Sequence, residues 1–163
     1  MTRVLVIGDT HIPDFAKELP AALRPELRRA DLILHTGDVS SAPVLEELAR
    51  YGPVKCALGN KDGPDVAAWG AEEEVVFDLD GIRVAMIHDS GPRSGRERRI
   101  RKHFSDARLV VFGHSHIPLD YEHDGVRFFN PGSVTWKRRQ PVATFGRLSI
   151  SKGTIRSEIV PFA

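Results

Sequence analysis

The sequence predicts an α/β fold, a two-sheet β-sandwich of mixed strands flanked by helices, and three observations predict it. Short apolar runs alternate with helix-spaced stretches through the first two-thirds of the chain, as in parallel strands joined by helical crossovers. Asp80-Gly81 and Asp124-Gly125 each divide two β-rich runs, a strong hairpin signal. The last third carries strand patterns without helices between them, so parallel pairing comes early and antiparallel pairing late. The 163 residues fit a single domain, 1–163, with enough chain to bury a core.

In chain order, residues 3–7 are a continuous apolar strand of the kind buried on both faces. Residues 18–29 have helical spacing through Leu19, Ala22, Leu23 and Leu27, with Pro20 tolerable near the start. Residues 31–35 form a second buried strand, Pro43 opens a helix to residue 50, and residues 54–58 form a third strand. Residues 74–79 and 82–87 pair as a hairpin. A basic helix spans 93–104, a short strand 109–112, and a second hairpin joins 121–123 to 126–130. Two late strands, 142–149 and 154–161, meet near Lys152-Gly153.

Composition excludes several classes of function. Apolar residues make up 41% and charged residues 28%, which is ordinary globular material. No apolar run is long enough for a membrane span or a signal peptide. The single cysteine, Cys56, permits no internal disulfide; its apolar surroundings predict a buried structural thiol in a cytoplasmic protein. A formal charge of +1, from 23 basic and 22 acidic residues, lacks the positive excess that long nucleic acid requires. Charge is nevertheless concentrated in two places, Arg93 to Lys102 and Lys137-Arg138-Arg139. Each is read as a solvated face or an anion-facing surface.

The chemistry gathers where strands end. The first strand runs into Gly8-Asp9-Thr10-His11, the second into Gly37-Asp38, and the third into Gly59-Asn60-Lys61-Asp62. The strand over 82–87 exits into His88-Asp89, and that over 109–112 into Gly113-His114-Ser115-His116. In open α/β sheets ligands collect outside the carboxyl ends of strands. If these strands are mutually parallel, one edge gathers a set of carboxylates, imidazoles and an amide too polar for a core. Asp9-x-His11 and His114-x-His116 each place alternate residues on one side of an extended loop. So many nitrogen and oxygen donors exceed one four-coordinate zinc and suit two metals sharing a carboxylate. A mixed shell without thiolate favours manganese, iron, zinc or nickel over magnesium or calcium.

The ordered set Asp-x-His, Gly-Asp, Gly-Asn-x-Asp, His and Gly-His-x-His resembles the calcineurin-like metallophosphoesterases, and most closely their small single-domain phosphodiesterase branch. Asn130-Pro131-Gly132-Ser133 also resembles that branch. The resemblance implies that Asp9, His11 and His116 hold one divalent ion, that Asn60, His88 and His114 hold another, and that Asp38 bridges them. It implies Mn2+ first, with Ni2+, Fe2+ or Zn2+ as alternatives, and a hydroxide between the metals that attacks phosphorus of a small phosphoester, preferably a diester. Asp38, Asn60 and His88 then stand closest to the chemistry. The third motif departs from larger relatives, which carry His where this chain has Lys61. Lysine steadies a phosphate oxygen but is a poor proton donor to a leaving group, so esters with good leaving groups are expected to turn over best.

Several residues need a role beside that set. Arg93 or Arg96, at the start of the basic helix, is a candidate phosphate clamp with Lys61. Asp89, where relatives often carry Gly, is expected to anchor His88 or to cap the helix that follows. Asp62 is expected to hydrogen-bond within the site. His35, Trp69 and Trp136 are expected to pack, and His103 and His123 to lie at the surface. The Asn130–Ser133 turn is read as structural, with a possible supporting role behind the His114 loop. A eukaryotic retromer subunit acting mainly as a scaffold also resembles this branch, so the alternatives are a scaffold or a phosphomonoesterase. An arginine-rich surface and exposed late hairpins are compatible with a homodimer.

Overall fold

The computed structural model describes residues 1–162, and its ten strands form two five-stranded sheets. The first sheet has the order β10-β9-β1-β2-β3 and the second β4-β5-β6-β8-β7. In the first, β1 (Thr2–Ile7), β2 (Leu32–His35) and β3 (Val54–Cys56) run parallel, while β9 (Ala143–Ser151) and β10 (Thr154–Phe162) add antiparallel. In the second, β5 (Ile82–Ile87), β6 (Leu109–Val111) and β8 (Val126–Asn130) are parallel, with β4 (Glu74–Leu79) and β7 (Leu119–His123) antiparallel at the edges. Both hairpins predicted from Asp-Gly are present. The five chemistry-bearing strands are thus divided between two sheets, three in one and two in the other.

Strand alternation builds the layers. Val4, Val6, Leu32 and Leu34 face Val84, Met86, Leu109, Val111 and Phe129 between the sheets. Their neighbours Leu5, Ile7 and Ile33 point the other way and pack beneath Leu27 of α1 (Arg24–Arg29) and Leu45 and Leu48 of α2 (Ala42–Ala49). On the far side, Ala85, Val110 and Phe128 meet Ile100 of α4 (Arg96–His103) and Phe104. Strands with apolar contacts on both faces account for the unbroken apolar runs in the sequence. Cys56 is buried in the layer beneath α1 and α2.

Two helices are shorter than their sequence patterns. The stretch read as a helix from residue 18 begins with a 3₁₀ turn, Ala21–Leu23, because Pro20 is extended (φ −57°, ψ 133°) and Pro25 occupies the first turn of α1; proline restrains both itself and its predecessor. The basic helix begins at Arg96, since Gly95 is left-handed (φ 74°). A further helix, α3 (Pro64–Trp69), is absent from the sequence reading because a single buried apolar residue, Val66, gives it no periodicity.

Candidate metal centre

Packing the sheets face to face brings the carboxyl ends of β1, β2, β3, β5 and β6 to one edge. Five of the polar residues there adopt left-handed backbone: Asp9 (φ 50°), His11 (45°), Asp38 (54°), His114 (71°) and His116 (62°). Non-glycine residues pay for such φ values, and the cost is characteristic of functional sites. Neighbouring backbone holds these turns in place. Asp62 accepts three N–H groups, from Asp38 (2.9 Å), Ser40 (2.9 Å) and Gly59 (2.7 Å), and so shapes the Asp38 turn. Gly59 is needed because a Cβ there would lie 2.2 Å from Asp38 Oδ1.

The donors form two groups. Asp9, His11 and His116 converge in one, and Asp38, His88 and His114 in the other. Asn60 joins the second, its Oδ1 lying 3.0 Å from His88 Nε2 and 3.2 Å from His114 Nδ1. Asp38 Oδ2 reaches both groups, at 3.6 Å from His11 Nε2 and 3.2 Å from His88 Nε2. Two of the four rings are aimed by their other nitrogen. His88 Nδ1 donates to Thr36 O (2.8 Å) and His116 Nδ1 to the Trp136 carbonyl, which turns both Nε2 atoms inward in acceptor form.

Charge and burial test whether cations fit. Asp9 is fully buried, and its Oδ1 has no hydrogen-bond partner. That atom lies 3.7 Å from His116 Nε2 and 4.0 Å from His11 Nε2. Burial pushes the Asp9 carboxyl up to about 7, with Asp38 adding to the effect and His88 opposing it. Burial likewise lowers His116 to about 4 and also lowers His11. A buried carboxylate oxygen facing neutral imidazole nitrogens is costly alone and is satisfied by a cation. In the second group, burial raises Asp38 but is outweighed by its bonds to His88 and to the Lys61 N–H, which bring it to about 2. His88 is raised because Asp38 and Asp9 outweigh its burial. The residues fit two divalent ions.

Other sequence candidates fall differently. A cleft of about 860 Å³ opens beside the second group and is lined by Asn60, His88, His114, Arg99, Lys102 and His103 among others. Arg93 is exposed outside that lining, and Arg96 is buried with its guanidinium over Phe112 (5.0 Å). The basic helix faces the cleft, but through Arg99, Lys102 and His103. The signal was available: Arg96 is four residues from Ile100 and eight from Phe104, so it shares their buried face. Arg99 also bonds the Ser90 and Pro92 carbonyls (2.7 Å each). Asp89 caps the Gly91 N–H (2.8 Å) and lies 3.8 Å from His114 Nε2; the anchor of His88 is Thr36 O instead.

Sequence reasoning gave too little to the segment after β8. Asn130 Nδ2 donates to Gly113 O and Ser115 Oγ (3.2 Å each), Ser133 Oγ to Asp9 O (2.8 Å), and Thr135 Oγ1 to Thr10 O (2.7 Å). The turn therefore ties the Asp9 loop to the His114 loop. Trp136, expected to pack, meets His11 and His116 edge-on at 5.3 Å and 5.1 Å. His35 is buried as expected; its Nδ1 accepts from Gly37 N and its Nε2 bonds Thr10 Oγ1.

Two mixed sheets with paired histidine and aspartate groups at their strand ends define an α/β protein with a candidate binuclear metal centre. The chain belongs to the calcineurin-like phosphoesterase superfamily, whose domain model matches residues 2–153. A probable metallophosphoesterase of Methanothermobacter thermautotrophicus is 36% identical over 137 residues, covering 82% of this chain and 77% of the relative. Vacuolar protein sorting-associated protein 29 of Schizosaccharomyces pombe is 32% identical over 138 residues, covering 81% and 72%. The structure of vacuolar protein sorting 29 from Cryptosporidium parvum superposes with a TM-score of 0.78 at 25% identity, covering 99% of this chain and 98% of that one. Among the described residues no helix is long and apolar enough to cross a membrane.

Proposed function

We propose that this protein hydrolyses small phosphodiesters with two divalent ions, Mn2+ foremost, held by Asp9, His11 and His116 and by Asn60, His88 and His114, with Asp38 shared. The observation that carries the reading is the buried, unpartnered Asp9 Oδ1 among inward-facing imidazole nitrogens, joined to the second group through Asp38 Oδ2. When bound, such ions lower the pKa of water toward neutrality and offset charge on phosphoryl oxygens. Asp38, anionic and fixed by the Lys61 N–H (2.8 Å), supplies the charge that both positions need. His88 and Asn60, which line the cleft, face the phosphate side of the substrate.

Lys61 is exposed on the same loop as Asn60 and steadies a phosphoryl oxygen. Lysine in place of a histidine suits esters whose leaving oxygen departs without a proton. An open cleft gives room to a second ester arm and thereby supports diesters over monoesters. Arg99 and Lys102 provide positive charge at its wall.

The test begins with chelator-stripped protein, assayed on a bis-aryl phosphodiester and an aryl phosphomonoester with Mn2+, Ni2+, Zn2+ or Mg2+ restored. Activity returning best with Mn2+, greater on the diester and absent in Asp38→Asn, supports the proposal. A folded protein inactive with every metal would leave the scaffold reading, toward which the vacuolar sorting relatives point.

A further inference from the structure

The sealed side of the centre carries a surface that the hydrolytic reading does not use. Phe15, four residues after His11, lays its ring on Trp136 with centroids 3.7 Å apart and planes at 11°. The Arg138 guanidinium stands over Trp136 at 4.6 Å. Trp136 in turn abuts the His11 and His116 rings, and Phe15 meets His11 edge-on at 5.7 Å. Phe15 nonetheless remains 54% exposed, and nearby in sequence to His116, Ile117 is 46% exposed. Trp136 covers one face of the Phe15 ring, so the exposure belongs to the rest of that ring. An aromatic pair left open at the rim of a buried polar centre offers a stacking face to a ligand. Arg138 belongs to the second basic cluster of the sequence, and its place over Trp136, which abuts His11 and His116, puts it beside the centre rather than on a remote solvated face.

We propose that Phe15, Trp136 and Arg138 form a subsite for a flat aromatic arm of the substrate, a nucleobase, so that the phosphodiesters acted on are those of nucleosides. This rests on the phosphodiesterase reading and adds the substrate class to it. Bases stack on aromatic side chains whatever their sequence, because every base has a π-face, and a guanidinium beside the stack adds cation–π attraction and a contact for phosphate. The stack touches the imidazoles of the first group edge-on, with ring centroids 5.1 to 5.7 Å apart, so a base laid on its exposed part is within reach of a nucleoside phosphate held at the centre. A short ligand is favoured over a polymer because the whole chain carries a formal charge of only +1.

The test holds the leaving group constant and varies the retained arm. Mn2+-loaded protein is assayed on thymidine 5′-(p-nitrophenyl phosphate) and on ethyl p-nitrophenyl phosphate. The nucleoside substrate is expected to have kcat/KM about tenfold higher, chiefly through KM. Phe15→Ala is expected to bring the ratio of the two substrates near one, and Phe15→Tyr to keep it. A wild-type ratio near one, or a ratio untouched by Phe15→Ala, overturns the subsite while the hydrolase stands. If neither diester turns over, Trp136 fluorescence in a Trp69→Phe background is titrated with adenosine 5′-monophosphate and with ribose 5-phosphate. Quenching by the nucleotide alone, lost in Phe15→Ala, upholds the subsite though the hydrolase has failed. An equal response to both ligands overturns it.

Discussion

Asp9, His11 and His116 are sealed, with no more than 2% exposure, whereas Asn60 is exposed and His114 keeps 43% of its side chain open to the cleft. The two groups also prepare their donors differently. Burial drives the sealed group toward neutral forms, with Asp9 pushed up to about 7 and His116 down to about 4. In the open group, Asp38 is held at about 2, and it raises His88 in return. A cation entering the sealed half would relieve the one unpartnered oxygen of Asp9, Oδ1, while one entering the open half would compete with a proton on His88. The sealed ion is therefore expected to be held more firmly, and the open one to exchange and to meet substrate.

Asp38 is the residue on which both halves depend, so its loss has the largest expected effect. Asp38→Asn keeps the shape but removes the shared charge, and kcat is expected to fall on the order of a thousandfold with the circular dichroism spectrum unchanged. A loss no greater than that of His114→Ala would mean that the halves work separately. Asp62 comes next. It touches neither group's ion positions, yet its three backbone bonds set the Asp38 turn. Asp62→Asn is expected to cost about 10–100-fold in activity or in affinity for the open ion. Metal analysis of the dialysed variant, finding one retained ion per chain, would place that cost in the open half.

The halves were also unequally legible in the sequence. The sandwich and the motifs could be read because β1, β2, β5 and β6 each carry an apolar run, from Val84 on in β5, that ends in a polar turn. Division of those strands between two sheets could not, since a strand apolar on both faces does not say which sheet it joins. The walls of the centre were harder still. Trp136 and Phe15 are 121 residues apart, and nothing local signals that their rings meet. Helical phase, not charge, sets the direction of Arg96: Ile100 and Phe104 mark its side of α4 as the buried one.

Lys61 offers a smaller effect on the open half alone. Lys61 is exposed beside Asn60, and Lys61→His would put on that loop an imidazole able to donate a proton near neutral pH. Hydrolysis of alkyl esters is expected to rise about tenfold or less, with little change for p-nitrophenyl esters. Equal gains on both substrates would indicate altered binding rather than proton donation.

The sealed half is tested most directly without metal. Burial pushes the Asp9 carboxyl up to about 7 in the metal-free folded chain, above the roughly 3.9 of an unfolded aspartate. The folded state then holds the proton longer, so its contribution to stability is complete below about pH 4 and is lost as pH rises to about 7. The loss is about 1.4 kcal/mol per pH unit at most, and each kcal/mol moves Tm by about 2–4 °C in a chain of this size. Asp9→Asn abolishes that titration. Stripped of metal at pH 8, the variant is expected to melt several degrees above the wild type, and at pH 4 the gap is expected to close. Added Mn2+ should reverse the order at pH 8, because ligand binding stabilises the chain that still owns the carboxylate. A variant no more stable than wild type at pH 8 without metal would mean that the sealed half is satisfied without its ion, and the contrast with the open half would fail.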